Sequence, residues 1–511
     1  MGANFEELEL QPTDLVGCRY RQVQRHRYPD TEPSSVGQQR AGRLRAARAE
    51  VFALLPQAPA LGDPKKFLRI DIPDGESAEF DTLEALAAEA DLITGVVFRG
   101  RSGESSWYLE VDALARMAHG TYLPVIVSNH RVARPREGAS MLAISTTRLG
   151  LARKPTELPY QQRHHAIDGY RLSLAARALA EVELDSGWGA AIGQDRTKVF
   201  LAPSNTHQQA LDAALQVTPP TQPRRVKECD SCRYWSFCAP ELEAVDEISL
   251  FLSGDRAQSY REQGIHTVTG LIDAALGEPS ALARAWRDEI PVLRRRAQLQ
   301  APRADVEIDI DVEAYLDQGA YLWGVFDGRE YLPFVTWEGL GGDAEGENFA
   351  RFWTWLMQRR EQAAAAGESF AAYCYSAHGE NHWMLGSARR FAGKRYGDHR
   401  IPAEDEVREF ISSAQWIDMF RLVKEQLVGP GGLGLKIVAP AAGFHWAEAG
   451  FDGEESVHAY RIAVGEDSAA AARARAQLLS YNGDDCRATA AVRAWLEAGA
   501  PGAPLLGEGR R

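Results

Sequence analysis

The sequence predicts an α/β (α+β) protein with two folded parts and a short helical stretch between them. Three observations predict this. The chain has 511 residues, and at roughly 150 residues per domain that length suggests about three units. Up to residue 240 the order is helix, several strands, helix, strand, which suits a mixed core. After residue 305 three strands lead into alternating helices and strands. The expected domains are therefore 1–240, a helical stretch 241–304, and 305–511.

The first part opens on an Arg-rich helix, Gln39–Leu55, which carries Glu50. Strand-like runs follow at Phe67–Ile72, Leu92–Phe98, Trp107–Ala113 and Tyr122–Val127. A helix is expected over Tyr160–Glu183 and a strand over Thr197–Leu201, before the Pro-rich stretch Thr218–Pro223. In the helical stretch, Gly264 to Val268 resembles the turn of a helix-hairpin-helix element, and is equally a plain connector. In the third part Val306–Val312, Tyr321–Phe326 and Tyr331–Thr336 read as strands. The helix Gly346–Ala365, the strand Tyr373–Ser376, the helix Asn381–Phe391, an element at Trp416–Leu422 and a terminal helix pair over Ala471–Leu496 follow. That order suits an RNase H-like fold.

Composition narrows the function classes. Apolar residues make up 45% and charged residues 25%, which excludes a disordered or collagenous chain. No stretch approaches the ~18 uninterrupted apolar residues of a spanning helix. The acidic start, Met1 to Leu10, lacks the layout of a signal peptide, and Glu6 stands where a myristoylation signal at Gly2 has Ser or Thr. A cytoplasmic protein with no membrane partner is expected. The net charge of −14 argues against a protein that coats nucleic acid. Yet Arg19 to Arg48 holds eight Arg against Asp30 and Glu32. A second basic cluster contains Arg284, Arg287, Arg294, Arg295, Arg296 and Arg303. Both are either phosphate-binding surfaces or solvated helix faces.

Six cysteines are too few for a disulfide scaffold. Cys229-x2-Cys232-x5-Cys238 sets three thiols on a short loop, a soft donor set for zinc or an iron–sulfur cluster, or simply unligated. A zinc ribbon adds a second close Cys pair, and here the other Cys in this part is the distant Cys18. One N-terminal Cys with a C-terminal C-x2-C-x5-C resembles the iron–sulfur staple of AddB and the CRISPR-associated RecB-like exonucleases. The resemblance implies a [4Fe–4S] cluster on Cys18, Cys229, Cys232 and Cys238, clipping the first helix to the end of a PD-(D/E)XK nuclease domain. Cys374 and Cys486 read as buried small apolar residues.

A PD-(D/E)XK site needs an Asp and then an acid-x-Lys on the next strand, to hold Mg²⁺ and steady the attacking water. Asp112 suits the first carboxylate and Glu50 the helix acid. On the next strand, however, Ile126 and Ser128 stand where the acid and Lys belong, and no Lys lies between Lys66 and Lys154. Arg171 and Ala175 replace the Gln and Tyr of the RecB-like helix motif. The domain reads as a degenerate nuclease fold kept for DNA binding or scaffolding.

The third part carries a fuller set. Asp309, Asp311 and Glu313 alternate along a strand and so share a face, where they repel one another unless a divalent metal or solvent compensates. Near the C-terminus, Tyr481-Asn482-Gly483-Asp484-Asp485 fits Tyr-x3-Asp. An early Asp-x-Glu with a late Tyr-x3-Asp is similar to the DEDDy 3′–5′ exonucleases, among them the YprB-type domain and the RNase H-like domain fused to RecB-like nucleases. The resemblance implies Asp311, Glu313, Glu380 and Asp485 as ligands of two Mg²⁺ or Mn²⁺ ions, with Tyr481 orienting the attacking water. Glu380 takes the place of the usual Asp. Asp418 is either a supporting acid or a helix cap, and His378 and His382 are read as surface residues.

The expected function is a metal-dependent DNA exonuclease, acting on single strands or ends in repair or foreign-DNA processing. The alternatives are a non-catalytic Fe–S DNA-binding or scaffold subunit of a helicase–nuclease assembly, and an RNA exonuclease. With no G-x4-G-K-[ST] P-loop in the chain, unwinding falls to a helicase partner.

Overall fold

Apolar β-branched segments pair into two main sheets, and helices cover them. The computed structural model describes residues 9–59, 66–103, 105–151, 154–448, 450–451, 453–466 and 468–507. Gly2 and Glu6 lie outside the described residues. The chain divides into two compact units, Met1–Thr267 and Val268–Arg511. The boundary falls inside the 241–304 stretch, in which the short helices Gln258–Glu262 and Val268–Asp273 flank the Gly264 turn. Both units are mixed α/β, as the element order predicts. No helix of the described residues is long and apolar enough to cross a membrane.

The first unit is built on an eight-stranded sheet. Its strands in chain order are β1 (Arg69–Asp71), β2 (Leu92–Ser102), β3 (Ser105–Arg116), β4 (Tyr122–Val127), β5 (Met141–Ser145), β6 (Thr156–Leu158), β7 (Trp188–Ile192) and β8 (Lys198–Pro203). Across the sheet they run β1-β2-β3-β4-β7-β8-β5-β6. The helix α1 (Ser35–Leu54) buries only Ala47 and Val51, against Ala113, Val125 and Val127 on one face. On the other face α2 (Ala166–Glu181) packs Leu174, Ala175 and Leu179 onto Leu109, Val111 and Ile126. The expected helical start at Tyr160 is instead a strand: Tyr160–Gln162 pairs with Ala133–Pro135. Gln161 there accepts from Arg134 and Arg136, so pairing and side-chain bonds override helical propensity.

The second unit carries a five-stranded sheet of β9 (Val306–Tyr315), β10 (Gly319–Phe326), β11 (Tyr331–Val335), β12 (Phe370–Cys374) and β13 (Trp416–Asp418). Its order is β11-β10-β9-β12-β13. The first three strands are antiparallel, while β12 is parallel to both β9 and β13. Period-two alternation along β9 sends Ile308 and Ile310 to one face. There they meet Phe349, Phe352 and Leu356 of α3 (Asp343–Ala366). That helix ends at Gly367, whose φ of +76° suits a residue without a Cβ. The helix α4 (His378–Arg390) adds Met384 and Ala388 to the cluster around Ile308 and Ile310. In a second cluster α5 (Met419–Gln426), α6 (Leu435–Ala441) and α8 (Ser468–Glu497) pack with Ala371 and Tyr373, and α7 (Gly453–Ala463) packs on Tyr321 and Leu322.

The acidic side of β9 faces α8, a single 30-residue helix where a pair was expected. Asn482-Gly483 does not break it. The Asn482 amide bonds Asp311 and accepts from the Tyr331 hydroxyl, while Gly483 lies tight against the Tyr331 ring. These tertiary contacts offset the usual helix penalty of about 1 kcal/mol for Gly.

Candidate functional site

Asp311, Glu313 and Asp485 meet between β9 and α8, with one carboxylate oxygen of each lying within 4.8 Å of the others. Strand alternation sets the first two on the helix-facing side, and α8 delivers the third. Along α8, Asn482, Asp485, Thr489 and Arg493 form a buried polar stripe at helical spacing. Each acid is held by neutral donors. Asn482 Nδ2 donates to Asp311 Oδ2 at 2.7 Å, Ser456 Oγ to Glu313 Oε2 at 2.8 Å, and Trp446 Nε1 to Asp485 Oδ1 at 2.8 Å. Neutral donors fix the carboxylates without cancelling their charge.

Burial and mutual repulsion therefore raise their proton affinity. Burial pushes Asp485 up to about 6 and Glu313 up to about 7. Asp311 rises well above the usual carboxylate range, first through burial and then through Asp485, Glu313 and Glu380. Glu380, in the first turn of α4, is 6% exposed. Burial lifts it to about 8, with Asp418 and Glu313 adding repulsion. Its Oε2 has no hydrogen-bond partner among the described residues. A buried orphan oxygen beside three converging acids is the donor set of a hard divalent cation.

Asp418 caps α5, accepting from the Arg421 N–H, and also takes the Ser376 N–H. Its charge still adds to the repulsion at Glu380. His378 and His382 are exposed. Tyr481 bonds Asp485 through its hydroxyl, and burial with the neighbouring acids drives its pKa far above the usual tyrosine value. It keeps its proton at any physiological pH.

Asp309 shares the strand face but not the cluster. Arg493 Nη2 lies 2.7 Å from its Oδ2, bonds Glu307 as well, and sits 4.2 Å from the Tyr373 ring centroid. This acid is neutralised within the fold.

The first unit treats its own acid in the same way. Asp112 is 3% exposed, with Arg48 Nε at 2.5 Å, Arg171 Nη2 at 3.0 Å and the Val127 N–H at 2.7 Å. Arg171, which stands in a place where the RecB-like motif has another residue, thus fills the space around the carboxylate. Glu50 pairs with Arg196 at 3.2 Å, Ile126 lies in the apolar core, and Ser128 contacts the His130 ring.

The four cysteines of this unit converge, each charge being felt by its neighbours. Burial is the main force raising Cys18, Cys229 (to about 12) and Cys238 (to about 11), and the other thiols raise them further. Gln24 donates to Cys238 Sγ at 3.2 Å and the Val226 N–H to Cys229 Sγ at 3.3 Å. Cys374 and Cys486 are buried thiols of the second unit.

Several residues of the centre carry no local signature: Trp446, Ser456, Asn482 and Lys436. Asn482 lies inside the Tyr-x3-Asp motif.

Residues 310–497 match the family model of the RNase_H superfamily, RNase_H_2. No curated protein and no solved structure matches the chain. The matched segment contains Asp311, Glu313, Glu380, Tyr481 and Asp485. The superfamily is in general one of nucleases and its fold typically binds divalent metals, so the second unit carries an RNase H-like, nuclease-type domain.

Proposed function

We propose that residues 305–511 form a divalent-metal-dependent 3′–5′ exonuclease acting on DNA single strands or ends. One observation carries the reading: the half-buried Asp311 and Glu313 and the buried Glu380 and Asp485 have neutral donors or none, whereas Asp309 and Asp112 are each matched by arginine. Such a cluster supports two Mg²⁺ or Mn²⁺ ions. Bound there, the metals supply water activation and stabilisation of the leaving 3′-oxygen. The chain's own part is to hold these acids in place through Asn482, Ser456 and Trp446. Tyr481, protonated and anchored on Asp485, orients the attacking water rather than deprotonating it.

For residues 1–240 the reading is a degenerate RecB-like nuclease fold kept for DNA binding or scaffolding, followed by the helical stretch 241–304. The Arg48 and Arg171 clamp on Asp112 supports this, since guanidinium groups take up the charge a metal would need. Cys18, Cys229, Cys232 and Cys238 are proposed to hold a [4Fe–4S] cluster, supported by the mutual electrostatic influence of the four thiols and by the apolar cluster that Cys18 and Cys238 share with Tyr20 and Val23. Duplex unwinding is left to a helicase partner.

The test is anaerobic purification followed by Mg²⁺ and Mn²⁺ assays on end-labelled single- and double-stranded DNA and RNA. Stepwise shortening of DNA from the 3′ end is the expected result. Preference for RNA would move the substrate assignment, and no cleavage of any substrate would leave a DNA-binding scaffold.

A further inference from the structure

We propose that Lys436 is the phosphate-binding residue of this centre, its ammonium contacting the phosphate at the cleaved end of the substrate. The proposal rests on reading the acid cluster as a nuclease site. Lys436 is exposed on α6, and its charge reaches the carboxylates of Glu313 and Asp485. Its ammonium is steadied by the Phe451 carbonyl and lies 5.1 Å from the centroid of the Tyr481 ring. It is therefore a cation at the solvent side of the acid cluster, beside the tyrosine proposed to orient water.

It makes no ion pair among the described residues, so its charge is not spent inside the fold. The other cations around the centre are engaged. Arg493 holds Asp309 and Glu307. Arg487 pairs with Asp484 and lies against Phe326 and Tyr331. Arg461 bonds the Tyr315 hydroxyl.

Electrostatics gives Lys436 a task. A phosphodiester approaching four carboxylates meets repulsion, which bound metals would offset in part. A cation at the mouth draws the phosphate in and balances the charge that develops as water attacks. A lysine suits this role as a compact point charge with three donors on a flexible stem. In this chain 49 of 57 basic residues are Arg, and a Lys stands at this place. The same segment ties to the acids through Trp446 on Asp485 and Ser456 on Glu313, so Lys436 is held in register with them.

The experiment uses the full-length protein and two variants, Lys436→Met, which keeps the alkyl stem, and Lys436→Arg. Calorimetry measures Mn²⁺ binding, then binding of a nucleoside 5′-monophosphate to the Mn²⁺-loaded protein, and kinetics gives KM and kcat on an end-labelled oligonucleotide. For K436M we expect at least tenfold weaker nucleotide binding and a KM raised by a similar factor. Mn²⁺ affinity should be unchanged or tighter, and K436R should recover most of the loss. The slope of log affinity for single-stranded DNA against log salt should fall by about 0.7. K436M binding nucleotide like wild type overturns the assignment alone. K436M losing Mn²⁺ and nucleotide together also overturns it, because Lys436 would then be structural. Wild-type protein that binds Mn²⁺ but no nucleotide overturns both this assignment and the nuclease reading.

Discussion

Arg493 grips Asp309 at 2.7 Å, whereas Asp311, the next residue on the same face of the same strand, meets no cation among the described residues. The two acids are chemically alike, and two turns of helix decide their fates. Arg493 lies two turns beyond Asp485 on α8, so the helix that completes the acid cluster also closes it off at Asp309. One carboxylate belongs to the fold. The other is left with its charge exposed to its neighbours and stabilised only by an amide.

The first prediction follows from that stored repulsion. The folded-state values of Asp485 (about 6), Glu313 (about 7) and Glu380 (about 8) lie above the ~4 of free carboxylates. The folded protein thus holds more protons than the unfolded chain between about pH 4 and 8. Their contribution to stability is fully present below about pH 4 and is lost as pH rises through the folded-state values. In EDTA, Tm should therefore be lower near pH 8 than near pH 5.5. Mn²⁺ should restore more Tm at the higher pH, since the ion binds the deprotonated cluster. Calorimetric scans at both pH values, with and without Mn²⁺, check this; equal shifts at both would count against a metal centre.

A second prediction separates the two acidic sites. Asp112→Ala should leave nuclease activity close to wild type, yet destabilise the first unit. The change strands Arg48, Arg171 and the Val127 N–H around a buried gap. Breaking a buried pair on one side costs roughly 3–5 kcal/mol, and the partial exposure of Arg48 points to the lower end. Urea melts alongside the cleavage assay measure both; loss of activity with unchanged stability would reverse the reading.

How much of this was legible before folding depends on the range of each interaction. Asp311 with Glu313, and Tyr481 with Asp485, are short-range patterns, so their shared faces follow from strand and helix periodicity. The three leading strands and the long helix over 343–366 are legible for the same reason. Trp446, Ser456 and Lys436 are not, because they reach the acids only through packing of the α6–α7 segment. Asp309 looks equivalent to Asp311 until α8 is laid across β9 and Arg493 arrives. The single helix at 468–497 was hidden likewise, since the contacts of Asn482 with Asp311 and Tyr331 that sustain it are long-range.

Gly324 provides a third prediction. It stands opposite Asp311 on β10, and a Cβ there would overlap the Asn482 carboxamide. Gly324→Ala should displace Asn482, release Asp311 and lower both metal affinity and stability, the latter by about 1–3 kcal/mol as in other overpacked sites. Asn482→Ala should reproduce the loss of metal affinity without the overlap. Mn²⁺ titration of both variants is the measurement, and unchanged affinity in both would remove Asn482 from the centre.

The cysteines yield a fourth. Anaerobically purified protein should be brown and carry about four irons per chain. Cys18→Ser should lower the iron content and Tm together, because the proposed cluster would tie the N-terminal segment to the loop at 229–238. A colourless protein with one equivalent of zinc would replace the iron–sulfur reading.

The last prediction places the chemistry in the second unit. Asp311→Asn and Asp485→Asn nearly preserve shape and keep an oxygen for Asn482 or Trp446, but remove a charge from the metal-binding set. Each should lower divalent-dependent cleavage by more than the ~10²–10⁴ typical of losing one acid–base group, because a lost ligand weakens water activation and leaving-group stabilisation at once. Tyr481→Phe should be milder: the acids still hold metal, and only the positioning of the water suffers. In EDTA near pH 8 both Asn variants should melt above wild type, since one repelling carboxylate is gone from the cluster. DNA binding should persist in them and weaken steeply with salt, because the arginine clusters are untouched. That combination of lost cleavage, retained binding and raised metal-free stability is what a ligand-set role requires and a packing role forbids. If wild type and Asp311→Asn instead degrade every substrate at the same slow rate, the cleavage comes from elsewhere and the scaffold reading takes its place.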